Sequence, residues 1–167
     1  MVFAGGRCAV GQRPPAVVKA HVALATEAVR AGSSAKASII AEVEPGYHIN
    51  DHHPSLSYLI PTVVQFAPAR GFHVEKIVYP QGKTQKFVFA EKGLSVYEGQ
   101  VAIRAVFKVA PTVESGNYNL HGKLEYQACN DHACLPPESV PLTLKLKVVS
   151  RSAPLRHVDS YVPGKSE

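Results

Sequence analysis

Three stretches of the chain alternate apolar and polar residues with a period of two. Val101, Ile103, Ala105, Phe107 and Val109 share one side of the first, with Arg104 and Lys108 on the other. Tyr118, Leu120, Gly122, Leu124 and Tyr126 alternate with Asn119, His121, Lys123 and Glu125, and Leu142, Leu144, Leu146 and Val148 with Thr143, Lys145 and Lys147. A period of two is that of a strand with one dry and one wet face, the habit of antiparallel sheets. Weaker candidates are Val17–Leu24 and Ala35–Val43, separated by the turn cluster Arg30–Ser34, although Val22–Arg30 also fits a helical turn. Pro45-Gly46 turns the chain into a short strand, Tyr47–Asn50. Leu59–Phe66 is interrupted by Pro61, which confines it to a sheet edge or a bulge. Phe72–Tyr79 is closed by Pro80-Gln81-Gly82, and Lys83–Phe89 runs into a loop at Ala90–Ser95. Seven to nine strands with turn signals between them describe an all-β, antiparallel β-sandwich. It occupies residues 16–149 as a single domain, between a disordered lead-in over 1–15 and a flexible tail or linker over 150–167.

Composition agrees with this reading. A chain of 167 residues with 46% hydrophobic content is long enough for one sizeable core. It has no Trp and one Met, and Val, Ile, Leu and Thr are punctuated by 13 Pro and 12 Gly, which favours strands. The net charge of +5 raises the question of nucleic acid, but the Lys and Arg are scattered singly and read as a solvated β surface. No segment approaches the ~18 apolar residues of a membrane helix. Met1–Gly11 lacks an apolar core of signal-peptide length, so a signal was removed or never present. Arg7 stands where a lipoprotein signal would need a small residue before Cys8, and Cys8 reads as a free thiol or a leftover of expression.

The chemistry is concentrated in Glu125–Glu138. Cys129 and Cys134 have four residues between them, in a polar loop closed by Pro136-Pro137. Such a loop can bring two Cβ atoms to disulfide distance. Closing about six residues stabilises a fold by roughly 2 kcal/mol, against roughly 4 for a loop of fifty, so a bridge here is a poor staple. Short, exposed bridges are the ones a partner thiolate reaches, and the expectation is a redox pair. His132 between the cysteines is placed to stabilise a thiolate or relay a proton, while Asp131 and Glu138 would raise the thiol pKa by repulsion. Two alternatives stand beside this: a structural bridge in a non-catalytic binding module, and a copper or zinc site drawing on Cys129, His132, Cys134, His48, His52 and His53. The spacing is not that of a zinc finger, and His52-His53-Pro54 reads as an exposed turn. Tyr47 and Tyr126 read as core or rim aromatics.

Tyr126-Gln127-Ala128-Cys129, Cys134 and Pro136-Pro137-Glu138 resemble the active-site hairpin of the N-terminal periplasmic domain of DsbD, the disulfide-bond corrector family. Glu44–Ile49 resembles that family's Gly-Tyr strand, and Tyr79–Gly82 its Pro-Gln-Gly turn. Ser95–Tyr97 with Val101–Val109 resembles the strand after its cap loop. The resemblance covers about Val17 to Val149. It implies an immunoglobulin-like sandwich in the periplasm or another extracytoplasmic space, carrying one reversible disulfide and no other cofactor. The implied partners are a thioredoxin-like domain fed by a membrane electron-transfer domain, and periplasmic disulfide isomerases or reductases. Carried over, Cys134 is the sulfur attacked by a partner and Cys129 its resolving mate. Phe87–Gly93 corresponds to the cap loop, with Phe89 as the aromatic shield. The sequence departs from the family in three places. One residue fewer separates the cysteines, Glu91 is the only candidate for the paired acids before the cap aromatic, and His48 and Asn50 replace aromatics on the Gly-Tyr strand.

Overall fold

The computed structural model describes residues 16–88, 90–157 and 162. The expected lead-in, Cys8, Phe89 and most of the stretch beyond His157 lie outside the described residues. The described chain is built from strands, and no helix forms among them. In order they are β1 (Val18–Leu24), β2 (Val29–Arg30), β3 (Ser34–Val43), β4 (His48–Asn50), β5 (Val63–Phe66) and β6 (Phe72–Val78). After these come β7 (Lys83–Gln85), β8 (Leu94–Tyr97), β9 (Gln100–Val109), β10 (Gly116–Tyr126), β11 (Ala128–Cys129) and β12 (Glu138–Val149).

Two four-stranded sheets, ordered β1-β3-β9-β6 and β2-β12-β10-β5, make the sandwich. The period-two pattern explains why they pack. Val101, Ile103, Ala105, Phe107 and Val109 of β9 are buried, and so are Leu120, Leu124 and Tyr126 of β10 and Leu142, Leu144, Leu146 and Val148 of β12. Together with Ala37, Ile39 and Ala41 of β3 they form one continuous core. A third, smaller sheet, β11-β4-β8-β7, continues from the end of the β10–β12 ladder. It has its own apolar cluster of Leu59, Leu94 and Val96. This small sheet carries the cysteines.

The main strands lie where the pattern puts them, and the departures have identifiable causes. Val22–Arg30 is not helical: β1 stays in register with β3 as far as Leu24↔Ala37, and Val29 and Arg30 join β12 in parallel. Tertiary pairing overrides local propensity there. β7 stops at Gln85, well short of Phe89, and β8 begins at Leu94, inside the stretch expected to be loop. Leu94 and Val96 are inward-facing and pull that stretch into the small sheet, where β8 pairs with both β4 and β7. Among the described residues twelve strand segments therefore stand where seven to nine were expected, because pieces as short as β2 and β11 cannot display an alternation. Pro61 acts as anticipated: β5 starts after it and lies at a sheet edge, paired among the described strands with β10. Past β12 the chain runs back along β2. Ala153 O accepts from Arg30 Nε at 2.9 Å and Nη2 at 2.7 Å, and Glu27 N donates to Arg156 O at 3.0 Å.

Ile103 lies at the middle of β9 with no exposed surface. Ile103→Ala is expected to lower unfolding free energy by about 2–5 kcal/mol in urea titrations. Lys145→Ala, on the wet face of β12, is expected to change it by less than about 0.5.

Candidate active site

Beyond Tyr126 the chain leaves the β10–β12 ladder and pairs briefly with β4, setting Ala128 opposite Ile49 and Cys129 opposite His48. Asn130 then turns it. Its side-chain Oδ1 accepts the backbone N–H groups of His132 and Ala133, both at 2.9 Å, while its own N–H donates to Ala133 O at 2.9 Å. An asparagine side chain that mimics a backbone acceptor in this way makes a tight turn without help from the core. Asp131 and His132 are thrown out to the exposed tip. Cys134 comes back opposite Cys129, with Cα atoms 3.9 Å apart and the two sulfurs bonded to each other. Leu135 N closes the hairpin on Ala128 O at 2.8 Å.

The bonded residues differ in environment. Cys129 is 1% exposed and packs with the core, whereas Cys134 lies on the exposed return of the hairpin. A visitor from solvent meets Cys134 first.

Around Cys129 the small sheet gathers an unusual set of groups. His48, across the strand pair, is 3% exposed, and its Nε2 has no hydrogen-bond partner among the described residues. Burial pushes its pKa down, against the opposing pull of the Glu98 and Asp131 carboxylates. Its ring stacks on Phe87, with centroids 4.3 Å apart and planes 28° off parallel. Phe87 also packs on the small cluster of Leu59, Leu94 and Val96. The expected shield Phe89 is outside the described residues, and Phe87 is the aromatic of the 87–93 stretch that the structure sets on a neighbour of the pair. Glu91 is exposed and makes no hydrogen bond or ion pair among the described residues. The acid nearer this cluster is Glu98, whose Oε2 accepts Gln85 Nε2 at 2.7 Å. Tyr126 is 1% exposed and donates to Glu138 Oε2 at 3.0 Å, and burial followed by that carboxylate raises its pKa. Tyr47 packs, half-buried, against the sandwich core. Of the residues singled out in the sequence, the structure therefore brings Cys129, Cys134, His48, Asp131 and His132 to one hairpin and its neighbour strand. Tyr126 and Glu138 stand at its base.

Two polar anchors, one at the base of the hairpin and one at the end of β4 beside it, were missed by sequence reading. Gln127 Nε2 donates to Leu135 O at 3.3 Å, while its Oε1 accepts Asn50 Nδ2 and Ile60 N, each at 3.5 Å. Asp51, just after β4, accepts Ser95 Oγ at 2.6 Å, Tyr97 OH at 2.7 Å, and the N–H groups of His53 and Gly82, each at 3.2 Å. Burial alone would raise the Asp51 pKa, but these four donors hold it below the ordinary carboxylate range. The Pro-Gln-Gly turn needs its glycine because a Cβ on Gly82 would run into Ser95 Oγ and Asp51 Oδ2.

Among the described residues the histidines do not assemble a metal site. In the disulfide form the two sulfurs are bonded to each other, and neither is a thiolate ligand. His52 is half-buried rather than an exposed turn residue: it stacks on Tyr79 at 3.6 Å, and its Nδ1 lies 2.9 Å from Thr62 O. Among the described residues no group of three or more His, Cys, Asp or Glu is arranged to hold a metal ion.

Since the folded pKa of Asp51 lies below its unfolded value of 3.8, its contribution is present above that pH and lost as pH falls through the folded value. Asp51→Asn is expected to cost about 2 kcal/mol at pH 7 and much less near pH 2.5, as read from urea midpoints at the two pH values.

Over residues 15–145 the chain matches the family described as "Thiol:disulfide interchange protein DsbD, N-terminal". No curated protein sequence matches it. Among solved structures, the N-terminal periplasmic domain of ScsB from Proteus mirabilis is similar at 14% identity and a TM-score of 0.46, over 78% of this chain and 44% of that one. This chain thus spans less than half of the ScsB chain. The complex between the DsbD N-terminal and PilB N-terminal domains from Neisseria meningitidis matches at 17% identity and a TM-score of 0.42, over 73% of this chain and 80% of that one. The seventh ScaB type I cohesin from Pseudobacteroides cellulosolvens matches at 15% identity and 0.46, over 83% and 97%.

Proposed function

The chain belongs to the family of N-terminal domains of the thiol:disulfide interchange protein DsbD, and from that premise we propose that it is an extracytoplasmic electron relay working through Cys129 and Cys134. The observation that supports this most directly is the bonded pair itself, with one member exposed and the other buried. In the proposed cycle a thiolate of a thioredoxin-like donor attacks Cys134 Sγ. The Cys129–Cys134 bond breaks, Cys129 leaves with the electron pair, and a mixed disulfide joins donor to Cys134. The donor's second thiolate then attacks its own sulfur in that bond and releases Cys134. The donor has lost two electrons and the domain has gained them. Exchange in the opposite sense with a periplasmic disulfide isomerase or reductase passes them on. A membrane electron-transfer domain as the ultimate source is part of the same proposal.

We assign the supporting roles as follows. His132 and Asp131, exposed at the hairpin tip between the two cysteines, are given opposite effects on the Cys134 thiolate. The 87–93 stretch is assigned the shield, with Phe87 lying on His48. Glu91 and Tyr47 are assigned to the rim, Tyr126 to the hairpin base, and residues 16–149 to the exchange domain proper.

Cys129→Ala is expected to leave Cys134 able to hold a mixed disulfide with a thioredoxin-like protein, seen as a reducible band shift and identified by mass spectrometry. If neither single-cysteine variant retains such a protein, the relay reading fails. Titration of the reduced thiols by ultraviolet absorbance is expected to show the Cys134 pKa rising in His132→Ala and falling in Asp131→Asn. An unchanged titration removes both residues from the chemistry.

A further inference from the structure

We propose that His48 is the general base that deprotonates Cys129 when the pair re-forms its disulfide, and the acid that returns the proton when the pair opens. This rests on the exchange function proposed for the pair. It begins from the position of Cys129. A sulfur in a residue 1% exposed is badly placed to become a thiolate, because burial penalises the charged form and raises a thiol pKa. Ring closure nevertheless requires that thiolate. Cys134, at the surface, has water to stabilise its charge. Cys129 needs a group inside the protein.

His48 is that group by placement. It is the cross-strand partner of Cys129 in the β4–β11 pair, and residues directly opposite in an antiparallel pair project to the same face with Cβ atoms about 5 Å apart. It is itself buried, and its Nε2 is an unpaired polar atom among the described residues. Leaving a buried polar atom unpaired costs about 1–3 kcal/mol, so such an atom calls for a use. The stack on Phe87 fixes the plane of the ring. Burial keeps the imidazole neutral, with a lone pair to offer, near neutral pH. The charged groups acting on it are Glu98, following β8, and Asp131, at the hairpin tip. Both are carboxylates that favour the imidazolium once it forms. The other ionisable group of the hairpin base, Tyr126, is occupied with Glu138.

The step balances as follows. An acceptor sulfur is joined to Cys134, and Cys129 is a thiol. Nε2 takes the proton from Cys129 Sγ, and the resulting thiolate attacks Cys134 Sγ. The Cys129–Cys134 bond forms while the bond from Cys134 to the acceptor breaks, and the acceptor sulfur leaves as a thiolate with the electron pair. The imidazolium then gives its proton to solvent. The pair has lost two electrons and the acceptor disulfide has gained them. In the loading direction the imidazole first takes a proton from solvent, and Nε2 then passes it to the departing Cys129.

The test uses the full chain with Cys8→Ser, reduced and mixed with 5,5′-dithiobis(2-nitrobenzoate). Attack by Cys134 releases one thionitrobenzoate, and ring closure by Cys129 releases a second, so the two phases report the two sulfurs separately. His48→Phe, which keeps a ring to stack on Phe87, and His48→Gln, which keeps a polar side chain, are both expected to leave the first phase unchanged. They are expected to slow the second about 100-fold at pH 7, with the gap closing as pH rises and Cys129 ionises unaided. A second phase that keeps the wild-type rate in the variants overturns the inference. Slowing by one constant factor at every pH marks a packing effect and overturns it equally. Should the wild type release only one equivalent, the pair does not close, and the exchange function itself falls with the role of His48.

Discussion

The two-residue pairing of β11 with β4 is the contact on which the site depends. It is only Ala128 opposite Ile49 and Cys129 opposite His48, yet it decides which sulfur is dry and which is wet. Ala128 and Ile49 belong to the sandwich core, so the start of the hairpin is set by the same burial that holds the main sheets together. One residue later the Asn130 side chain reverses the chain, and the return from Asp131 to Cys134 is exposed. Shifting this pairing by one position would carry Cys129 to the opposite face, because strand side chains alternate. The asymmetry of the disulfide is thus a matter of register.

The bridge itself contributes little to the fold, and that is consistent with its being broken and remade. Its cysteines are five positions apart, a loop whose closure restricts the unfolded chain by roughly 2 kcal/mol. The position of the hairpin is secured by other means. Asp51 ties β4 to β8 and to the turn at Gly82, and Gln127 ties the hairpin base to Leu135, Asn50 and Ile60. None of these bonds passes through sulfur. Opening the disulfide therefore leaves the anchors in place.

How much of this can be read from the chain depends on sequence distance. The alternations of β9, β10 and β12 are local and long, and they place the sandwich and both ends of the cysteine loop correctly. The four-residue gap, the polar loop and the double proline identify the pair, and Asn130 before Asp131 carries a turn signal of its own. The donors on Asp51 come from as far as Tyr97, 46 positions away, and no periodicity encodes that. The stacking of Phe87 on His48 is equally long-range, joining a segment that lacks strand pairing to a three-residue strand. The sequence says that aromatics lie in the 87–93 stretch, and only packing sets the Phe87 ring on His48. The run after β12 is another case, since its bonds to Arg30 and Glu27 join residues more than a hundred positions apart.

The burial of Cys129 also bears on what a relay of this kind needs at rest. A disulfide is uncharged, and so is a thiol, and either is compatible with a sulfur in a residue only 1% exposed. Only the thiolate is disfavoured there. Both resting states of the proposed relay are then neutral at the buried sulfur, and charge appears at that sulfur only in transit, while a partner is attached to the exposed one. A reduced domain with a low-pKa buried cysteine would close on stray disulfides. One whose buried thiol stays protonated until a base removes the proton keeps its electrons between encounters. The neutral imidazole of His48, with Glu98 and Asp131 ready to favour its protonated form, supplies such a base without placing a permanent charge in the core. The dry sulfur is thereby slow by default and fast only where a proton acceptor faces it.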